Sequence, residues 1–356
     1  GVRGPAMSKR SGTVVDNSDD EATKREVAET LDGLRAKHDG AAGPADEPDD
    51  LPTLNFAPHD HFRECYTLNF DHPLGVGRNG TVIEAVHKSG VRRAVKLLPD
   101  TATSRLELRC QIACERVEVV NVVEVYRVRA DELDGLAVQF NPDEKVIVLV
   151  MELMGGGELY FRIISEDGPM PESDVKQVAV QMARALKEVH GRGITHRDIK
   201  PENILLRDEE PISLGLTDFG FATPFAPKGG RCTLAYAAPE IIQYLLNTHL
   251  RQTESEPYTC ACDCWSLGAV LYFCLSQSMP FPCKGDNVLT EHLKNSILKG
   301  RYSFAGEEWK GVSDEAIDVI QQLMDPNVDT RLTTKELLEH PWLVPSEDEH
   351  AGIGAQ

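Results

Sequence analysis

The segment His196-Arg197-Asp198-Ile199-Lys200-Pro201-Glu202-Asn203 places three side chains of complementary chemistry close together. A carboxylate at Asp198 can accept a hydrogen bond from a hydroxyl and orient it for in-line attack. Lys200 can steady a transferring phosphate, and Asn203 offers an amide oxygen to a divalent cation. Asp218, in Thr217-Asp218-Phe219-Gly220, follows Asp198 by twenty residues. It is the natural second metal ligand, and a set of hard oxygen donors suits Mg²⁺, with Mn²⁺ as a substitute. Either stretch alone reads equally as a polar loop. Both together, in this order and spacing, point to phosphoryl transfer.

Two further segments complete such a site. Leu74-Gly75-Val76-Gly77-Arg78-Asn79-Gly80-Thr81-Val82 fits G-x-G-x-x-G-x-V. Gly75, Gly77 and Gly80 let backbone N–H groups come close to phosphate oxygens without a Cβ in the way. Alone the stretch is also a plain glycine-rich hairpin turn. Its flanks favour strand–turn–strand over the strand–turn–helix of a dinucleotide fold. Lys96 follows in the apolar segment Ala94-Val95-Lys96. It is either a solvated edge charge or a cation held against phosphates and fixed by a glutamate on the next helix. Glu107 is the nearest candidate for that glutamate, and Glu115 and Glu118 are its rivals.

These residues need elements to position them. From about residue 62 to 153 short β-rich segments alternate with turn residues, interrupted by a helix at about 104–116. Val146–Met151 reads as a strand buried on both faces. After Gly155-Gly156-Gly157 the period becomes helical. Val175, Val178, Ala179, Met182, Ala185, Leu186 and Val189 form one apolar face, with Pro171 at its start and Gly191 at its end. Further helices are expected at 262–275, 288–299, 314–323 and 334–339. The fold class is α+β with two lobes, a small antiparallel sheet lobe with one main helix (62–153) and a larger, mainly helical lobe (154–344).

The 356 residues carry a formal charge of −20 with 41% hydrophobic side chains. That is enough apolar material for a large core, and the charge argues against a nucleic-acid partner bound through its phosphates. The longest apolar runs are far shorter than the ~20 residues of a membrane span. The N-terminus lacks a signal-peptide block, and the nine cysteines are an odd number. A reducing location is expected, the cytoplasm with the nucleus as second choice. Residues 1–55 hold 12 Asp/Glu against 7 Lys/Arg and read as a disordered acidic tail; 345–356 read as a short second tail.

With Ala238-Pro239-Glu240, Asp263 and Arg331 added, the chain from 62 to 344 resembles a eukaryotic protein kinase. Gly156-Gly157-Glu158-Leu159 and His340-Pro341-Trp342 are similar to the calcium/calmodulin-dependent kinase group. Leu74-Gly75-x-Gly77-x-Asn79-Gly80 and Val150-Met151-Glu152-Leu153 look most like the MAP-kinase-activated protein kinases. The resemblance implies an ATP- and Mg²⁺-dependent Ser/Thr kinase acting on a protein substrate, probed best with Arg three residues before the target. It makes Met151 the gatekeeper, and Glu152 C=O and Met154 N–H the adenine partners. Leu74, Val82, Ala94 and Leu205 enclose the ring. Glu158 contacts ribose and a substrate arginine, and Thr233 marks the Ser/Thr-specific substrate segment. Asp263, and Glu240 paired with Arg331, are structural by the same resemblance.

The chain departs from the family between D-F-G and A-P-E. Residues 224–232 contain no Ser, Thr or Tyr, so Arg197 lacks a conventional phosphate partner there. Activity without loop phosphorylation is the expectation. No EF-hand loop, calmodulin-type basic helix, C-terminal inhibitory helix or docking motif is read, and the chain is expected to be a monomer. Cys260-x-Cys262-x-Cys264 has the wrong spacing for a zinc site and reads as core. A pseudokinase, binding nucleotide as a scaffold without turnover, is the alternative function; the presence of Lys96, Asp198, Asn203 and Asp218 argues against it.

Overall fold

The computed structural model describes residues 51–77, 80–114, 118–133, 140–141, 143–165, 168–208, 211–224, 232–249, 259–282 and 289–344. Residues 1–50 of the expected N-terminal tail, the expected tail at 345–356 and the rival Glu115 lie outside them.

A short helix α1 (His59–Cys65) leads into β1 (Tyr66–Gly77), β2 (Gly80–His87) and β3 (Arg92–Pro99). Helix α2 (Ala102–Ala113), β4 (Val122–Arg129) and β5 (Lys145–Glu152) complete the small lobe. The five strands form one antiparallel sheet in the order β1-β2-β3-β5-β4. Pro73 sits at a register shift of the edge strand β1, where a missing N–H does least harm to the ladder. Strand β5 is buried from Val146 to Met151, as a strand covered on both faces requires. One face of the sheet packs Phe62, Ile83, Val95, Tyr126 and Val148 together; the other packs Ala94, Leu98, Ile147, Leu149 and Met151 against Leu108 of α2.

Three local expectations are corrected. Helix α2 starts two residues before 104, because Thr101 caps it by accepting from Ser104 N–H at 3.1 Å, and it ends at Ala113 with Cys114 as its cap. Residues 51–55 belong to the fold and not to the tail. Leu51 is buried in the core, and Leu54 and Phe56 pack beside Leu108. Phe62 lies in a helix and not in the strand-like stretch expected there.

The large lobe holds α3 (Leu159–Ser165), α4 (Glu172–Gly191), α5 (Pro239–His249), α6 (Ala261–Ser276), α7 (Glu291–Leu298), α8 (Asp314–Leu323) and α9 (Thr334–Glu339). Small ladders β6 (Gly157–Glu158), β8 (Ile204–Asp208) and β9 (Ser213–Leu216) join in the order β6-β8-β9, and β7 (Ile194–Thr195) pairs with β10 (Thr223–Pro224). Every residue of α6 from Cys262 to Ser276 is buried, the mark of a helix at the centre of its lobe. A Cβ on Gly268 would come within 2.7 Å of Met324, so glycine there permits α8 to pack close. Cys262 and Cys264 are core side chains of this helix, and burial pushes both thiols up.

Arg331 locks α5 to this centre. Its guanidinium is bidentate to Glu240 (2.6 and 2.9 Å), donates to Ala261 O and Asp325 O (both 2.9 Å), and lies 5.3 Å from the Trp265 ring centroid. The Arg331 side chain is fully buried, so removing it strands a carboxylate and four hydrogen bonds. Arg331→Ala should lower unfolding free energy by about 3–5 kcal/mol, read from urea denaturation; a change below ~1 kcal/mol would refute this role.

Candidate active site

Lys96 lies on β3 opposite Val82 of β2 and Leu149 of β5, and is only 7% exposed. Its Nζ meets Glu107 Oε1 at 2.5 Å and Asp218 Oδ1 at 2.9 Å. Burial alone would push the ammonium down, but the two carboxylates outweigh it and hold Lys96 above its ordinary value. Burial pushes Glu107 up against the pull of Lys96; Asp218 is only half-buried, and Lys96 holds it below the usual carboxylate range. Of the two rival glutamates among the described residues, Glu107 and Glu118, the structure brings Glu107 to Lys96. Glu118 lies beyond the end of α2 and reaches Arg184 at 3.9 Å.

The catalytic loop converges on Asp198. Lys200 Nζ is 2.9 Å from Asp198 Oδ2, Thr233 Oγ1 donates to Oδ1 at 2.8 Å, and Asn203 Nδ2 donates to both Oδ2 (2.9 Å) and the backbone carbonyl (2.8 Å). With the Asn203 nitrogen committed to Asp198, its amide oxygen is the end that could hold a cation. Among the described residues, Arg197 (φ 67°), Asp218 (φ 60°) and Gln277 are the non-glycine residues in the left-handed region. Such backbone costs ~1–3 kcal/mol per residue and persists where surroundings enforce it.

Asp263 on α6 supplies that enforcement. Its buried carboxylate accepts from His196 N–H (2.9 Å), Arg197 N–H (2.8 Å) and His190 Nε2 (2.9 Å). Burial pushes the His196 ring down, and its hydrogen bonds have the pattern of a neutral imidazole, with Nε2 donating to Thr217 O and Nδ1 accepting Asp198 N–H. It also stands edge-on to Phe219 at 4.8 Å, so the two chemical segments touch through this pair. Arg197 Nε donates to Phe221 O at 2.6 Å.

Above the loop, Val82, Ala94, Met151, Met154 and Leu205 share one apolar cluster that joins both lobes. Ala94 pairs with Met151, and Gln111 of α2 donates to Met151 Sδ at 3.5 Å. Gly75 pairs with Val82 and has open space where a Cβ would sit; Leu74 beside it is exposed. Gly77 pairs with Gly80, and Gly80 has φ 134°, with Leu97 O in the way of an ideal Cβ. No other residue fits at Gly80 without a shift of β3.

Two features escape the sequence reading. The Glu152 carboxylate, and not only its carbonyl, has work: it accepts from Asn121 N–H and Arg207, tying the segment between lobes to β8. Glu202 Oε2 is buried with no hydrogen-bond partner, and it faces the field of Glu158. Burial first, then Glu202, pushes Glu158 up, against a smaller effect of Lys200. The acid in the loop motif was visible, but its burial was not.

Comparison with known proteins agrees with this geometry. The protein kinase domain profile matches residues 68–343, and the chain belongs to the protein kinase family. It is 34% identical to human MAP kinase-activated protein kinase 5 over 309 residues, covering 80% of this chain and 62% of that relative. It is 32% identical to Drosophila melanogaster MAP kinase-activated protein kinase 2, covering 76% and 71%, and 31% identical to mouse ribosomal protein S6 kinase alpha-2, covering 81% and 36%. The resemblance to the calcium/calmodulin-dependent group and its MAP-kinase-activated members is thereby borne out, as is the two-lobed α+β fold. The chain spans less than two thirds of the first of these relatives. Among the described residues no helix is long and apolar enough to cross a membrane.

His190 gives the site's support a pH signature. Burial would discharge it, but the Asp263 hydrogen bond, helped by Cys260, holds it at about 9 against 6.5 for an ordinary histidine. A raised pKa stabilises fully below pH 6.5, and this is lost as pH rises to about 9. The wild type should lose on the order of 3 kcal/mol of stability across that window, and His190→Gln should flatten the profile. Equal slopes for both proteins in urea titrations would refute the assignment.

Proposed function

We propose that this chain transfers the γ-phosphoryl group of ATP to Ser or Thr hydroxyls of protein substrates, with a preference for Arg three residues before the target. The observation that carries the reading is the double contact of buried Lys96 with Glu107 and Asp218, beside an Asp198 held by Lys200, Asn203 and Thr233. Phosphoryl transfer needs that lysine–glutamate pair and the metal-binding aspartate in place together.

The residues fit the groups they would hold. Asp218 and the Asn203 amide oxygen are hard donors suited to Mg²⁺, which neutralises phosphate charge when bound. Lys96 would meet phosphate oxygens beneath the glycine turn, while Val82, Ala94, Met151 and Leu205 flank the adenine. Asp198 accepts the hydrogen bond of the substrate hydroxyl and orients it, in the place that Thr233 Oγ1 takes in this structure. Lys200 stays charged despite partial burial, because Asp198 and Glu202 outweigh desolvation. It can therefore meet charge developing on the phosphoryl group.

Glu158 and Glu202 support the arginine preference. Two carboxylates, one pushed up by burial and then by the other, and one with an unpartnered buried oxygen, favour a guanidinium that relieves both. Arg197 spends Nε on Phe221 O, just after Asp218, and residues 224–232 offer no hydroxyl to phosphorylate. Both observations support activity without loop phosphorylation.

Transfer from Mg-ATP to an Arg-x-x-Ser peptide should proceed with phosphatase-treated protein, and Asp198→Asn should cut kcat by about 10²–10⁴-fold. Arg→Ala in the peptide should lower kcat/KM by roughly 10–100-fold, the loss of charged hydrogen bonds. Nucleotide binding without transfer would replace this reading with a scaffold. Unchanged turnover of the Ala peptide would remove the arginine preference alone.

A further inference from the structure

We infer that residues 51–57 form an intramolecular strap that positions α2, and with it Glu107, through Arg109. Glu107 makes the site only if α2 lies close against β3, and this placement is gripped from the far side of the helix. Arg109 is two residues beyond Glu107, about 200° around the helix. Its Nε donates to Pro52 O and its Nη2 to Leu51 O, both at 3.1 Å. Leu51 is itself buried, in the cluster that contains Cys110 and Cys114 at the same end of α2.

A second route runs from the other end of the strap. The Phe56 ring lies 6.0 Å from the Arg127 guanidinium, and Arg127 Nε meets Asp100 Oδ2 at 2.5 Å. Asp100 Oδ1 in turn accepts from Arg105 Nε, in the first turns of α2, at 2.7 Å. The Asp100 side chain is buried, and the Arg105 hydrogen bond holds its carboxyl below the usual range. Between the two routes, Leu54 and Phe56 pack with Leu108 and Ile112, and Ala57 N–H donates to Val125 O at 2.9 Å, fixing the strap to β4. The strap therefore holds α2 at its first turns, its middle and its end. In a chain whose activation segment lacks phosphorylatable residues at 224–232, the placement of this helix is set from the N-terminal side.

The effect on turnover rests on the proposed phosphoryl transfer; the effect on α2 does not. The test uses the full chain with Arg109→Ala, Arg109→Lys and Phe56→Ala, read by hydrogen exchange and by peptide kinetics. In Arg109→Ala, exchange should quicken within 102–113 while 314–323 stays protected, and Phe56→Ala should do the same to a smaller extent. Arg109→Lys, which keeps one charged donor, should restore part of the protection. kcat should fall roughly five- to thirty-fold in Arg109→Ala with peptide KM unchanged, as expected for one lost charged contact pair. Unaltered exchange across 102–113, or equal loss in 102–113 and 314–323, would overturn the strap. A wild type without transfer would overturn the kinase reading alone, since exchange still decides the strap.

Discussion

A buried ammonium sets the terms for this molecule. Lys96 is withdrawn from water among strand side chains, and such a charge survives only with carboxylates at contact distance. One comes from α2 and the other from the loop after β9, so a single cation obliges three distant parts of the chain to meet. The dependence is mutual. Burial pushes Glu107 up, toward its neutral form, and the lysine pulls it back down. Removing any one partner leaves a desolvated charge behind, which costs more than the pair contributes.

The second constraint is backbone strain at Arg197 and Asp218, placed where the chemistry is. A strained loop holds its shape only on a rigid support, and the support is α6, buried along nearly its whole length. Asp263 near its start meets two loop N–H groups and His190 together, while Arg331 fastens α5 to the same helix end. Hydrophobic burial fixes α6, α6 fixes Asp263, and Asp263 fixes the left-handed turn that aims Asp198.

The parts legible in sequence were those whose chemistry is local. Asp198, Lys200 and Asn203 lie within one loop, and the structure gathers them around a single carboxylate. Helices with a clean apolar face, such as 314–323 and 334–339, have the expected bounds. Contacts made across the fold were less legible. Spacing left three glutamates open to Lys96, and only the end of α2 at Ala113 decides between Glu107 and Glu118. Acidic composition concealed the apolar Leu51, Leu54 and Phe56, because their partners lie on α2 and β4, 50 or more residues away. The burial of Glu202 depends on neighbours that no local pattern specifies.

The parallel bridge of Ala57 to Tyr126 has a consequence unrelated to catalysis. Strand β4 is an outer strand of the five-stranded sheet, and an outer strand exposes a row of unpaired N–H and C=O groups to any other extended chain. With Ala57 seated on Val125 and helix α1 following at once, that row is partly covered by the protein's own chain. The β4 edge is thereby partly guarded against pairing with another extended chain, by a short stretch of the protein that precedes the first strand.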